Sequence, residues 1–135
     1  MASTKQAVLT DKAPAPLAQL SQAVKYGNMV YCSGSIGKGP ADPQLVEGGV
    51  KPQARQALQN LAAVLEAAGS SLSNVVKVNV FLTTMDNFAA VNEVYDEFFV
   101  SSPKPCRTCV AVYQLPMGAL VEIECTAFLD SGSKL

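Results

Sequence analysis

Residues 74–113, "NVVKVNVFLTTMDNFAAVNEVYDEFFVSSPKPCRTCVAVY", decide the fold. Asn74 to Thr84 reads as a strand. Val76, Val78, Val80 and Leu82 alternate onto one face, while Lys77 and Asn79 interrupt the other. Asp86 suits the N-cap of a following helix. Phe88, Val91, Tyr95, Phe98 and Phe99 lie along its apolar side. Pro103 and Pro105 end that helix and force extended backbone. A second strand starts at Cys106 and runs to Tyr113.

Before this unit, Pro52 suits the first position of a longer helix and Gly69 suits its C′ position. Ala54, Leu58, Leu61, Leu65 and Ala68 recur at steps of three and four and make one apolar stripe. "QAVKYGNMVYCSGSIG" reads as two strands around a turn at Tyr26-Gly27-Asn28, because Gly and Asn tolerate the positive φ of tight hairpins. Residues 38–49 are a Gly/Pro loop, and residues 119–129 a last strand, joined to residues 106–113 by "QLPMG" as a hairpin. The expected order is β-β-α-β-α-β-β, an α+β chain with a mixed sheet and both helices on one face. Two helices cannot cover both faces of an apolar sheet, so association through the open face is expected.

The length of 135 residues fits a single domain over 1–135, with 1–12 as an N-terminal lead-in and 130–135 as a C-terminal tail. Ten Lys+Arg balance eleven Asp+Glu, and Lys25, Lys38, Lys51, Arg55, Lys77, Lys104 and Arg107 are scattered, which argues against a nucleic-acid partner. No apolar run reaches the ~20 residues of a membrane helix. The sequence contains no histidine, so neither a His-based triad nor a Cys/His zinc site is available. The opening "MASTKQAVLTDKAPAP" has no apolar h-region, and an intracellular protein with reduced thiols is expected.

"CRTC" raises a choice between a redox or metal-binding C-x-x-C and a working arginine. In a strand, residues i and i+3 face opposite ways, so Cys106 and Cys109 diverge. Redox C-x-x-C motifs instead open helices. Cys32 and Cys125 read as buried small hydrophobes. Arg107 shares a face with Cys109, Ala111 and Tyr113 and needs a partner there. That partner is Glu122 or Glu124, bulk water, or a small carboxylate gripped by two hydrogen bonds. Glu122 and Glu124 share one side of their strand and read either as a solvent-facing edge or as acid–base groups near Arg107. "SGSIGKG" lacks the spacing of a phosphate loop.

"GNMVYCSGSIG", "QARQALQNLAAVLEAAGSSLSNVVKVNVFLTTMDNFAAVNEVYDEFF" and "CRTCVAV…VEIE" together resemble the RidA/YjgF reactive-intermediate (enamine/imine) deaminases over about residues 13–129. The resemblance implies a chorismate-mutase-like fold, a homotrimer with pockets between subunits, and hydrolysis of 2-imino acids to 2-keto acids and ammonia without cofactor or metal. It implies that Arg107 binds the substrate carboxylate and that Glu122 orients the attacking water. By the same resemblance Ser33, Gly34, Asn92 and Cys109 line the pocket, and Leu20 stands where a pocket tyrosine is usual. Cys106 replaces a usual alanine. A cytoplasmic protein is expected, with a mitochondrial copy as the eukaryotic variant. Two other classes stay open: a regulatory trimer that binds small carboxylates without turnover, and an endoribonuclease or translation inhibitor, a label some relatives carry.

Overall fold

A computed structural model describes residues 4–133. The expected first and last few residues of the lead-in and tail (1–3, 134–135) lie outside that range. The strands are β1 (Gln6–Val8), β2 (Ala23–Tyr26), β3 (Met29–Cys32), β4 (Val75–Leu82), β5 (Cys106–Ala111) and β6 (Val121–Phe128). The helices are α1 (Val50–Ala68) and α2 (Phe88–Phe98). One sheet runs in the order β1-β2-β3-β6-β4-β5.

α1 forms where the apolar stripe predicts it. Ala54, Leu58, Leu61, Leu65 and Ala68 are all buried, and Gly69 closes the helix with φ 85°. The helix begins at Val50, two residues earlier than expected, so Pro52 is not the first helical residue but still sits in the first turn, where its missing N–H leaves no hydrogen bond unmade. β2 and β3 form the expected hairpin, pairing Tyr26 with Met29 around Gly27 at φ 63°. Both helices cover one face, over a core drawn from Val30, Val78, Val80, Leu82, Val121 and Ile123.

Four expectations are corrected. Residues 106–113 and 119–129 do not form a hairpin: β6 pairs antiparallel with both β3 and β4, and β5 pairs parallel with the far side of β4. The α2 crossover brings β5 back parallel, and the apolar β6 then takes the interior position. Val76 does not share the face of Val78. A register shift between Val75 and Lys77 turns Val75 into the core and leaves Val76 41% exposed. The cap before α2 is Thr84, whose hydroxyl accepts from the Asp86 N–H at 3.1 Å, ahead of a 3-10 turn over Met85–Asn87. Gln6 to Val8, inside the expected lead-in, pair with β2 as a sixth strand.

Candidate active site

Parallel pairing places Arg107 beside Val78 and Cys109 beside Val80, so both point to the helix-covered side. β5 is the outer strand, and α2 overhangs it. The guanidinium carbon of Arg107 stands 4.7 Å from the Tyr95 ring centre and 5.6 Å from that of Phe88. Tyr95 is itself stacked on Phe99 at 4.4 Å. These contacts hold the cation against aromatic faces. Among the described residues, the ion pairs are Lys51–Glu93 and Arg55–Glu97, both between α1 and α2, and Arg107 has no carboxylate partner. Arg107 itself is half-buried there. Burial pushes the Cys109 thiol up, against the pull of the neighbouring Arg107. Asn92 lies on α2 between Phe88 and Tyr95, four residues from one and three from the other, and so on the helix face turned toward Arg107.

Glu122 and Glu124 lie on the opposite face of the sheet, beside Phe81 and Asn79. The Asn79 amide donates to Glu124 at 3.0 Å. The ion pair between Arg107 and either glutamate, open in the sequence, does not form within one chain. Burial, with Glu124 alongside, raises the Glu122 pKa above the usual carboxylate range.

Glu122 joins the other predicted residues. β3 ends at Cys32, and the chain turns into a loop whose Ser35 pairs with Ile123 across β6. Tyr31 pairs with Thr126, so the three residues 32–34 on this side lie opposite only two, 124–125, on β6, a bulge at Ser33-Gly34. The bulge brings Gly34 against Glu122, where a Cβ would stand 2.8 Å from the carboxyl carbon. A cavity of about 430 Å³ opens there, lined by Leu20, Ser33, Gly34 and Glu122 among others. Leu20, Ser33, Gly34 and Glu122 thus meet in one place, and Arg107, Cys109 and Asn92 in another.

Buried amides that the motif left unnoticed hold the cavity in shape. Gln22 donates to the carbonyls of Thr10 at 3.0 Å and Pro14 at 2.9 Å, and accepts from the Thr10 N–H. Asn60, beside the apolar stripe of α1, donates to the Lys38 carbonyl at 2.8 Å and the Ile36 carbonyl at 3.3 Å. Gln53 accepts from the Leu120 N–H at 2.8 Å. The Ser33 hydroxyl donates to the Ser21 carbonyl at 2.7 Å, so it ties two cavity walls together. The usable signal was an amide set among apolar helix positions, since such a group is kept only when its hydrogen bonds are made.

Among the described residues, no cluster of three His, Cys, Asp or Glu side chains forms a metal site. All four cysteines are free thiols, Cys32 and Cys125 buried, and Cys106 and Cys109 on opposite faces of β5 as parity predicts. No helix among the described residues is long and apolar enough to cross a membrane.

Comparison with known proteins bears on the same regions. The family model described as endoribonuclease L-PSP matches residues 10–129. A RutC family protein of Pyrococcus horikoshii is 46% identical over 126 residues, covering 93% of this chain and 99% of the relative. The 2-iminobutanoate/2-iminopropanoate deaminase of Dermatophagoides farinae is 44% identical over 128 residues, covering 95% and 99%. The crystal structure of RidA from the Antarctic bacterium Psychrobacter sp. PAMC 21119 superposes with a TM-score of 0.87 at 48% identity, covering 92% and 99%. On this match, which spans the bulge at Ser33-Gly34, the α2 overhang and both halves of the candidate site, the chain belongs to the endoribonuclease L-PSP family, the RidA/YjgF group that its motifs resemble.

Proposed function

We infer that this chain is a hydrolytic deaminase that converts reactive 2-imino acids, such as 2-iminobutanoate and 2-iminopropanoate, to 2-keto acids and ammonia. The observation that carries the reading is the half-buried Arg107 guanidinium, backed by Tyr95 and Phe88 and left without a carboxylate among the described residues. Full-length relatives named as 2-iminobutanoate/2-iminopropanoate deaminases supply the substrate class.

Arg107 grips the substrate carboxylate through two parallel hydrogen bonds. Its aromatic backing limits the guanidinium's freedom, so less entropy is lost when the anion arrives. The imine nitrogen is protonated and C2 is electrophilic. Glu122 holds a water against C2 and accepts its proton as the C–O bond forms. The carbinolamine nitrogen then takes that proton, Glu122 accepts the hydroxyl proton as the C=O bond forms and the C–N bond breaks, and ammonia leaves a 2-keto acid. A carboxyl whose pKa burial and Glu124 raise suits this two-way traffic, since it holds a proton more readily than an ordinary glutamate and can return it. Backbone groups of Ser33 to Ile36 and the Asn92 and Cys109 side chains orient the adduct, and Leu20 borders it. No step calls for a cofactor or metal.

Because Arg107 and Glu122 face opposite ways, a complete site combines Arg107 of one copy with Glu122 of the next. We propose a homotrimer built through the open sheet face. The exposed Val76, Val110 and Phe128 on strands β4, β5 and β6 are the surface it would cover. The four free thiols suit a reducing compartment, the cytoplasm or the mitochondrial matrix.

The test couples a threonine dehydratase to freshly prepared protein and follows ammonia release from 2-iminobutanoate. Wild type should exceed the uncatalysed rate and Arg107→Ala should match it. A wild type no faster than the blank would leave a carboxylate-binding regulator as the reading. The endoribonuclease label comes with the family description. A near-neutral chain without histidine is poorly equipped for that acid–base chemistry.

A further inference from the structure

Cys32 and Cys125 face each other across two neighbouring strands. β3 pairs with β6 through Met29–Phe128, Val30–Ala127 and Tyr31–Thr126, and the same register sets Cys32 opposite Cys125. β2 places Ala23 beside Cys32, and β4 places Val78 beside Cys125, so the four form one row across the helix-covered side. Both cysteines are free thiols, 8% and 3% exposed. A hydrogen bond joins their side chains, and that bond together with burial pushes the Cys125 thiol up. The other two cysteines are not partners for this pair. Cys106 points to the open face, and Cys109 lies two strands from Cys125, about 10 Å by strand spacing.

Directly opposed residues of an antiparallel pair hold their Cβ atoms about 4.5–5.5 Å apart. A disulfide needs about 3.8 Å, so closing one here draws β3 and β6 together by about 1 Å. The fold decides where that movement lands. Cys32 runs straight into the bulge at Ser33-Gly34, and beyond the bulge Ser35 and Ile123 are held by two backbone hydrogen bonds at 2.8 and 3.0 Å. The bulge carries the extra residue of the pair and is the part free to give. Gly34 packs so closely on Glu122 that a Cβ there would stand 2.8 Å from the carboxyl carbon. A shifted bulge therefore moves Glu122.

We propose that Cys32 and Cys125 form a reversible oxidation site, and that the disulfide between them displaces Glu122 and silences the chain. The oxidant is a peroxide. Buried thiols are inert, so the reaction waits on local opening at the end of β3, where Cys32 meets the oxidant. The Cys32 thiolate attacks one oxygen of hydrogen peroxide, the O–O bond breaks, and the hydroxide that leaves takes up the thiol proton as water. Cys32 is then a sulfenic acid. The Cys125 sulfur attacks the Cys32 sulfur, the S–O bond breaks, and the hydroxyl departs with the Cys125 proton as a second water. The two thiols have lost two electrons and the peroxide has gained them. A contracted cross-strand link is strained, so an added dithiol reduces it readily by exchange. The oxidation site stands apart from the deaminase reading; only the loss of activity rests on it.

The experiment treats the folded, reduced protein with hydrogen peroxide, removes the excess with catalase, blocks free thiols with iodoacetamide and maps the digest by mass. A linked Cys32–Cys125 peptide should build up slowly, and dithiothreitol should abolish it. Ammonia release from 2-iminobutanoate should fall about tenfold or more in the linked protein, the scale of a catalytic group displaced by about 1 Å, and should return with dithiothreitol. Cys32→Val and Cys125→Ala should each match wild type before peroxide and keep their activity through it. Absence of the linked peptide would overturn the proposal, as would a linked protein of full activity. Activity lost as fast in Cys125→Ala as in wild type would assign the effect to another thiol and overturn it too. If either variant fails to fold, the wild-type peptide map and the reversal by dithiothreitol decide alone. If reduced wild type releases no ammonia, the deaminase reading fails, and the linked peptide still decides the oxidation site.

Discussion

Arg107 and Glu122 point to opposite faces of the same sheet. Arg107 lies beside Val78 on the helix-covered side, and Glu122 beside Phe81 on the open side. The parity of β4 separates them: Phe81 is three positions after Val78, an odd step that reverses the face. No side-chain rotation within one chain brings the two groups onto one small substrate through the sheet between them. The residues that grip and those that hydrolyse are therefore delivered by different copies in the proposed assembly.

Replacing Arg107 tests the grip. On the proposed mechanism, Arg107→Ala removes two charge-assisted hydrogen bonds to the substrate carboxylate, together worth about 3–5 kcal/mol, and should lower kcat/KM by about a hundredfold or more. Arg107→Lys keeps the charge and loses the planar fork and its stacking on Tyr95, so it should recover only part of the loss. Thermal melting of Arg107→Ala should stay close to wild type, because no ion pair is broken among the described residues.

Gly34 tests the bulge. An added Cβ stands 2.8 Å from the Glu122 carboxyl carbon, and Glu122 is a side chain able to swing away. Gly34→Ala should therefore fold with little loss of stability and lose kcat by about tenfold or more, as expected for a displaced catalytic group. Steady-state kinetics beside a thermal melt checks this; unchanged kcat would show that the position of Glu122 is immaterial.

Glu122 has a folded pKa above its unfolded one, because burial and Glu124 disfavour the charged form. Its native state holds the proton more tightly, so its contribution to stability is present at acid pH and is lost as pH rises through the folded pKa. Glu122→Gln removes that loss. The variant should melt at or modestly above wild type at pH 7, with the difference shrinking below about pH 4, the unfolded range of a glutamate. It should also be inactive. A variant less stable than wild type at pH 7 would contradict the burial assigned to this carboxyl.

Leu58 is fully buried at the centre of the α1 stripe. Leu58→Ala should cost about 2–5 kcal/mol, a large part of the stability of a chain this size. Urea denaturation with an unchanged m-value checks it.

Much of this arrangement was legible in the sequence, and the gaps have physical causes. The α1 stripe and the Gly69 stop act locally, so periodicity revealed them. The alternation of β4 was readable from Val78 onward, but the bulge that turns Val76 outward depends on β6, far along the chain. Expecting a hairpin from residues 106–129 assumed that neighbours in sequence pair. The slot between β3 and β4 had to be filled, and β6 fills it. β1 carried no signal because Gln6, Ala7 and Val8 show no alternating pattern. Arg107 was correctly grouped with Cys109, yet its aromatic neighbours come from α2 and its lack of a carboxylate needed the register of β6. Leu20 and Glu122, about a hundred positions apart, meet only because the 33–38 loop pairs back at Ile123.

Complementation between two dead variants tests the central claim most directly. Arg107→Ala and Glu122→Gln, each inactive alone, are mixed at equal amounts, unfolded and refolded together, and assayed for ammonia release from 2-iminobutanoate. With Arg107 and Glu122 of each site on different copies, random assembly leaves about a quarter of the sites with both groups intact, so about a quarter of wild-type activity should return. A refolded mixture as inactive as its two components, while co-assembly is verified by mass, would show that the two residues do not form one site across copies.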